Sequence, residues 1–124
     1  MNGATLRTYR ELLGYELNQY AEKVGVNRRT VTRWETGQWD VPEDVATQVR
    51  SDLDELNRVI DELHATIPEA AEEATLLRYG RSDDLSQVTK ETTSHEIYNA
   101  ATGLTALALE TEGCQVTLEW SSRD

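Results

Sequence analysis

Residues 17–37, with the sequence LNQYAEKVGVNRRTVTRWETG, constrain the fold of this chain more than any other segment. Apolar positions begin at Tyr20 and recur at i+1 and i+4, which places them on one face of a short helix. Gly25 follows at a position where glycine commonly ends a helix in the left-handed conformation. Asn27 then suits the N-cap of a second helix. The segment therefore predicts two short helices joined by a tight turn.

The second of these helices has an apolar face and a cationic face. Val31 and Trp34 lie three residues apart and are expected to face inward, and Gly37 ends the helix. A unit of two helices and a tight turn is the one that places its second helix in the major groove of DNA. Four polar side chains are left pointing outward on that helix: Arg28, Arg29, Thr32 and Arg33.

The spacing resembles the XRE/Cro/CI (lambda-repressor-like) helix-turn-helix family over about residues 2–60. The resemblance implies that Arg28, Arg29 and Arg33 read bases, and that Thr32 contacts a base or a phosphate. Leu17 stands where the family often has a polar residue that touches the DNA backbone. Seven positions carry the resemblance: Ala21, Gly25, Val26, Val31, Trp34, Glu35 and Gly37.

The same resemblance implies a structural ion pair and a wider DNA-binding surface. Arg10 and Glu35 match a salt bridge that ties the first helix to the end of the recognition helix. Trp39 lies in the loop after that helix, where it either touches the sugar-phosphate backbone or packs against Trp34. The predicted DNA-binding residues are Arg28, Arg29, Thr32, Arg33, Asn27, Asn18, Gln38 and Trp39.

Arginine suits base reading because guanine presents two acceptors in the major groove and the guanidinium group can donate to both at once. Three arginines on one helix therefore suggest a half-site that contains G/C pairs. The alternative is that these surface arginines only increase solubility.

The charge of the chain differs between its two parts. The net charge is −11, which by itself argues against a nucleic-acid partner. Residues 1–41, however, hold six Lys and Arg against five Asp and Glu, whereas residues 42–124 hold six against eighteen. The acidic second part is expected to repel DNA and so confine it to one face. The alternative is that the acidic surface reflects only the solubility demands of the source cell.

The chemistry that enzymes require is thin in this sequence. His64 and His95 each lie near a predicted helix end, and Asp83–Asp84 fits the start of a helix better than a cation site. The single cysteine, Cys114, lies on the apolar face of a predicted strand and fits a small buried side chain. Neither metal-ligand spacing nor a glycine-rich phosphate loop is present. We therefore expect no catalytic residues, no metal and no cofactor.

Localisation and domain organisation follow from composition. The sequence predicts a cytoplasmic protein with no membrane partner. It has a single cysteine and no apolar run of 18 residues, and it does not start with a basic segment followed by an apolar run. We expect a DNA-binding domain at residues 1–66 and a small α/β dimerisation domain at residues 67–124. The predicted fold class is mainly α: an N-terminal lambda-repressor-like helical domain followed by a β-α-β unit.

A long helix is predicted from Pro42 to about His64. Pro42 suits the first helical position, where its missing amide costs nothing. Apolar residues spaced 4, 3, 4 and 3 apart form either the seam of a short coiled coil or the buried face of an ordinary amphipathic helix. These residues are Val49, Leu53, Leu56, Ile60 and Leu63.

The final third predicts a strand, a helix and a second strand. The first strand is expected at Thr75–Tyr79, and Gly80, Ser82 and Asp83–Asp84 after it form a turn or begin a short helical turn. Thr93 and Glu96 fit a capping box that opens a helix ending near Glu112, with a core-facing stripe. Alternation from Cys114 to Trp120 predicts the second strand, parallel to the first. The stripe consists of Ile97, Ala101, Leu104 and Ala108.

A two-stranded sheet is marginal on its own, so a second copy that extends or covers it is expected. The whole plan resembles regulators with an XRE-type domain and a C-terminal dimerisation domain, such as YdiL-like and anti-CRISPR-associated regulators. It implies a homodimeric repressor that reads a palindromic operator in double-stranded DNA. The alternative is a protein-binding module, such as an antitoxin or antirepressor. The predicted dimer-interface residues are Leu53, Leu56, Ile60, Leu63, Val116, Leu118 and Trp120.

Overall fold

The structure is a computed structural model that describes residues 1–80 and 94–121. These residues form a mainly helical fold that ends in a strand, a helix and a strand, which confirms the predicted fold class. The elements are α1 (Gly3–Leu12), α2 (Leu17–Val24), α3 (Arg28–Glu35), α4 (Glu43–Ala65), β1 (Glu73–Arg78), α5 (His95–Thr111) and β2 (Gln115–Trp120).

Local capping defines the first three helices. The side chain of Asn2 accepts a hydrogen bond from the Thr5 amide at 2.8 Å, and that of Asn27 accepts one from the Thr30 amide at 2.9 Å. Gly25 ends α2 with φ at +78°, a conformation that glycine adopts without a Cβ clash. Helices of eight to ten residues are marginal alone, so their stability comes from packing, and α3 packs against both α1 and α2.

Gly3 allows α1 to approach the end of α3 closely. A Cβ atom built at this position would lie 2.3 Å from the carbonyl oxygen of Trp34 and 2.4 Å from that of Glu35. Both neighbours are backbone atoms, so a larger residue would have to push the two helices apart. The sequence analysis did not identify Gly3 as a packing residue.

Arg10 forms a buried ion pair with Glu35 across the same junction. Its Nε lies 2.7 Å from Oε2 of Glu35 and its Nη2 lies 3.1 Å from Oε1, which is a bidentate geometry. Its Nη1 donates to the carbonyl oxygen of Tyr15 at 2.9 Å. The hydrogen bond to Glu35 raises the pKa of the Arg10 guanidinium above its ordinary value, although desolvation opposes it. One side chain therefore fixes α1, the α1–α2 loop and the end of α3.

Helix α4 begins one residue after Pro42, and of the predicted seam it buries only Val49 and Leu56. Leu53, Ile60 and Leu63 are only half-buried within the chain. Asp52 takes a place in the buried stripe, which a search for apolar spacing alone could not detect. The buried stripe is Val45, Val49, Asp52, Leu56 and Val59.

Asp52 is buried and contacts two exposed polar side chains, one on α2 and one on its own helix. Its Oδ1 accepts from Gln48 at 3.1 Å, and its Oδ2 lies 3.7 Å from Nζ of Lys23. The hydroxyl of Tyr20 is buried without a hydrogen-bond partner. Burial, reinforced by the negative charge of Asp52, raises the pKa of Tyr20 to about 12.

The two strands pair in parallel, as predicted, with Leu76 opposite Leu118 and Arg78 opposite Trp120. The first strand begins two residues before the predicted position and ends one residue earlier. Helix α5 packs on the sheet, and a small core joins the two elements. That core consists of Leu76, Ala106, Leu109 and Cys114, with Ile67, Ala71, Ala74 and Val116 packed around it.

Helix α5 begins one residue later than predicted. Ser94 is the N-cap and accepts from the Ile97 amide at 3.2 Å, so the predicted capping box of Thr93 and Glu96 is wrong by one residue. Thr93 itself lies outside the described residues, as do Ser82, Asp83 and Asp84 of the predicted turn. The predicted stripe was also only partly right: Ile97 and Ala101 are buried, but Leu104 and Ala108 are half-buried.

Two buried polar side chains of α5, Asn99 and Thr102, form hydrogen bonds with the end of β1. Asn99 donates to the carbonyl oxygen of Tyr79 at 2.8 Å and accepts from the Tyr79 amide at 2.9 Å. Thr102 donates to the carbonyl oxygen of Leu77 at 3.2 Å. Asn99 thus supplies the hydrogen bonds that a neighbouring strand would otherwise make.

The chain divides into two compact units, Met1–Asp54 and Glu55–Asp124. The predicted domain limit at residue 66 stays a prediction. Within the described ranges, no helix combines the length and the apolar character needed to span a bilayer.

The buried hydroxyl of Tyr20 should make the stability of the protein sensitive to alkaline pH. Its pKa rises from 10.0 to about 12 on folding, so its stabilisation is complete below pH 10 and is lost as the pH rises to about 12. We expect the free energy of unfolding to fall by up to about 1.4 kcal/mol per pH unit in this window. For Tyr20→Phe, urea unfolding should show a smaller fall in the free energy of unfolding over the same pH range. The fall that remains comes from Tyr79 and Tyr98, because burial also raises their pKa values. An unchanged slope would contradict this assignment.

The Arg10–Glu35 pair should behave as a buried, coupled pair. Arg10→Met or Glu35→Met alone leaves one charge buried and should lower the free energy of unfolding by about 3–5 kcal/mol. The double variant should cost less than the sum of the two, as measured by urea unfolding. Arg7→Met, which breaks the exposed Arg7–Glu11 pair on the same helix, is the control and should cost less than about 1 kcal/mol. Additive effects of the two single substitutions would show that the pair is not coupled.

Candidate nucleic-acid interface

Helix α3 presents three guanidinium groups on its outward face. Arg28 and Arg29 are exposed in its first turn, and Arg33 is half-buried in its last turn. Val31 and Trp34 are buried on the opposite face, as predicted. Among the described residues, none forms an ion pair or hydrogen bond with these three guanidinium groups. Their edges are therefore available to an external acceptor.

The other two predicted contacts on this helix already make internal hydrogen bonds. The Oδ1 atom of Asn27 caps the helix through the amide and the hydroxyl of Thr30, at 2.9 and 3.2 Å. The hydroxyl of Thr32 donates to the carbonyl oxygen of Arg28 at 3.1 Å. Both side chains are exposed, so Asn27 keeps its amide nitrogen as a donor and Thr32 keeps its oxygen as an acceptor.

Arg33 and Trp39 stack against each other at the end of α3. The guanidinium carbon of Arg33 lies 4.5 Å from the centre of the Trp39 ring, which is within cation–π range. Gly37, with φ at +83°, reverses the chain, and the Trp39 amide then donates to the carbonyl oxygen of Arg33 at 3.0 Å. The sequence analysis placed Trp39 against Trp34 or the DNA backbone and did not anticipate its stacking on Arg33.

The remaining predicted contacts lie at the start of α2 and in the loop after α3. Asn18 and Gln38 are both exposed, whereas Leu17 is half-buried. The side-chain oxygen of Gln19 accepts from the Glu16 amide at 3.0 Å and so caps α2. The carboxylate of Glu16 is also exposed at this end of the helix.

The Arg10–Glu35 pair removes an acid from the arginine surface. Glu35 lies only two residues from Arg33, yet both of its oxygens are taken by Arg10 on the buried side. The carboxylate is therefore not available to neutralise Arg33. Arg10 matters for presentation of the helix although it is too buried to contact a ligand.

The predicted dimer-interface residues differ strongly in exposure. Leu56 is fully packed within the chain, and Val116 is half-buried. Leu118 and Trp120 are 48% and 66% exposed, which is unusual for large apolar side chains of a strand. Arg78 covers Trp120 only in part, with its guanidinium carbon 5.3 Å from the ring centre.

No group of three His, Cys, Asp or Glu side chains is placed to hold a metal ion in the part of the chain that the structure describes. Cys114 is buried and is not in a disulfide.

Comparison with known proteins places the arginine-bearing helix in a recognised domain. Two archaeal proteins, from Thermococcus kodakarensis and Pyrococcus furiosus, are each 40% identical to this chain over 68 residues, or 54% of its length. Both are provisionally named HTH-type transcriptional regulatory proteins. The match spans only 21% and 22% of their respective lengths, about a fifth of each relative. Residues 3–72 match the family described as "Helix-turn-helix domain". With more than half of its residues in that match, this chain belongs to the helix-turn-helix domain family.

Proposed function

We propose that this chain binds double-stranded DNA in a sequence-specific manner and acts in transcription regulation. The observation that carries the proposal is the set of three guanidinium groups on α3 that form no ion pair or hydrogen bond with any of the described residues. In a helix-turn-helix, this second helix enters the major groove and its N-terminal residues contact base edges. Arg28 and Arg29 occupy that N-terminal turn, so they are the leading candidates for bidentate contacts with guanine.

Phosphate contacts would orient the helix in the groove. Exposed polar side chains at the start of α2 and after α3 suit this role, because such contacts set the register without reading sequence. We propose Asn18, Gln38 and the amide nitrogen of Asn27 for it. The relatives' provisional names, which describe transcriptional regulators, support the same class of function.

The charge distribution restricts how DNA can approach. Residues 1–41 have a small excess of positive charge, whereas residues 42–124 hold eighteen acidic residues against six basic ones. Phosphates are therefore repelled by most of the chain and attracted only near the cationic helix. With few cations to displace counterions, non-specific affinity should be low, so that specificity depends on base contacts.

We further propose that the regulator is a homodimeric repressor of the XRE type that reads a palindrome. One α3 helix reads only a few base pairs, and a two-fold dimer would place two of them about 34–36 Å apart, one turn of DNA. The open surface for such a dimer is β2. Register partners in a parallel sheet share a face, yet Leu76 is buried while its partner Leu118 is 48% exposed. Helix α5 therefore covers β1 more fully than β2.

A second candidate function is a protein-binding module, and the acidic charge of residues 42–124 favours it. A basic protein would be attracted to this surface by the same field that repels DNA. Co-purification with such a partner, together with failure to shift any selected duplex, would favour this function over DNA recognition.

Substitution of the first-turn arginines tests DNA recognition directly. A binding sequence is first selected from random duplexes. Arg28→Ala and Arg29→Ala should then each raise Kd by about one to two orders of magnitude, because each lost guanine contact costs about 1–3 kcal/mol. Fluorescence anisotropy at fixed salt measures this change. Arg50→Ala removes the same charge from an exposed site on α4 and should change Kd little. Wild-type affinity and unchanged base preference in both α3 variants would show that neither Arg28 nor Arg29 reads a base.

A charge placed on the open face of β2 tests the dimer. Leu118→Glu should shift the protein toward monomer in sedimentation-equilibrium measurements, because a carboxylate there would be desolvated in the interface. Leu107→Glu alters an equally large, exposed leucine of α5 that is not part of the predicted interface, and it should leave the association constant unchanged. A wild-type protein that sediments as a monomer at binding concentrations would refute the dimer.

A further inference from the structure

Trp39 is an exposed aromatic side chain beside the last arginine of α3. It follows the recognition helix, it is 47% exposed, and its ring lies over the guanidinium group of Arg33. A tryptophan left exposed gains none of the free energy that burial of its apolar surface would provide, so its exposure suggests a contribution to binding. Its position beside the last cationic residue of α3 suggests such a contribution.

The stacking is built into the backbone. Gly37 turns the chain at φ +83°, which places the Trp39 amide where it bonds the Arg33 carbonyl oxygen at 3.0 Å. The two side chains are therefore held side by side by a main-chain hydrogen bond that does not depend on either of them. Replacing the indole ring would remove the stack and leave this turn intact.

The geometry of the stack leaves Arg33 able to read a base. The guanidinium carbon of Arg33 lies over the Trp39 ring, 4.5 Å from its centre, and the N–H donors of the planar guanidinium group lie around its edge. In the described residues, no side chain accepts a hydrogen bond from these donors. Arg33 is thus restrained in direction but retains its full capacity to donate.

We propose that Trp39 is a positioning residue that presets Arg33 for contact with DNA. Free arginine side chains carry a large rotamer entropy, and immobilising one on binding costs free energy that preorganisation removes. Trp39 provides that preorganisation by holding the guanidinium plane before DNA arrives. This inference rests on the proposed DNA-binding function, which assigns Arg33 to the interface.

Trp39 restrains Arg33 but neither of the first two arginines of α3. Arg28 and Arg29 are exposed and have no stacking partner among the described residues, so they adapt to the bases that they meet. Arg33 is held in one direction and should tolerate fewer bases. The position in the half-site that Arg33 reads should therefore be the one whose preference depends on Trp39.

A double-mutant cycle on the full chain tests this role, with a duplex selected by the wild-type protein as the probe. Trp39→Ala should weaken binding roughly two- to tenfold, the range expected for one immobilised side chain. Trp39→Phe keeps an aromatic face and should recover most of the loss. In an Arg33→Ala background, Trp39→Ala should have almost no further effect, because the ring acts through Arg33.

A measurement on the free protein checks the stack independently of DNA. The δ-protons of Arg33 should resonate upfield in the wild-type protein because of the Trp39 ring current, and should return to ordinary positions in Trp39→Ala. Normal thermal unfolding of that variant would show that the fold is retained.

Three results would overturn the role of Trp39. The first is DNA binding by Trp39→Ala that is unchanged or tighter. The second is an equal loss of affinity from Trp39→Ala with and without Arg33, which would mean that the ring contacts DNA itself. The third is ordinary chemical shifts for the Arg33 δ-protons in the wild-type protein. Failure of the wild-type protein to bind any selected duplex is a different outcome, because it would reject the DNA-binding proposal and the role of Trp39 with it.

Discussion

The structure depends on how the end of one eight-residue helix is fixed. Helix α3 is too short to be stable alone, so the direction of its arginines is set by what holds its last turn. Arg10 forms a bidentate ion pair with Glu35, and Gly3 allows α1 to approach the carbonyl oxygens of Trp34 and Glu35 closely. A buried ion pair adds little net stability over apolar packing, but a broken one is costly. The pair therefore favours one arrangement of α1 and α3 over alternatives that would separate its charges.

The same residue type serves two purposes in this unit, and the surroundings decide which. Arg10 is desolvated and each of its three guanidinium nitrogens donates to a protein oxygen, so it is a structural element. Arg28 and Arg29 keep their donors free at the surface. Arg33 stands between these extremes, since its guanidinium group lies over the Trp39 ring and donates no hydrogen bond to any of the described residues. A count of arginines in the sequence cannot separate these states.

The local features of the fold could be predicted from the sequence, and the features that depend on distant contacts could not. The caps at Asn2 and Asn27 and the helix end at Gly25 follow from hydrogen bonds within four residues, so short patterns identify them. The Arg10–Glu35 pair was reached only through a family resemblance, because 25 residues separate its partners. The small size required at Gly3 and the stacking of Arg33 on Trp39 depend on how elements meet, and no spacing rule encodes either. In α5, buried Asn99 and Thr102 break the apolar stripe because they bond the end of β1.

Asp52 shows how a departure from apolar periodicity serves the proposed interface. An apolar residue in its place would complete the buried stripe of α4, but it would give no fixed partner to α2. Asp52 instead contacts Lys23, near the end of α2, and is supported by Gln48 on its own helix. The start of α2 is where helix-turn-helix proteins meet the DNA backbone. The ion pair between Lys23 Nζ and Asp52 Oδ2, at 3.7 Å, is therefore an attraction between α2 and α4 that methyl groups would not supply. Burial of the Asp52 carboxylate has a desolvation cost, and its negative charge adds to burial, the larger cause, in raising the pKa of Tyr20.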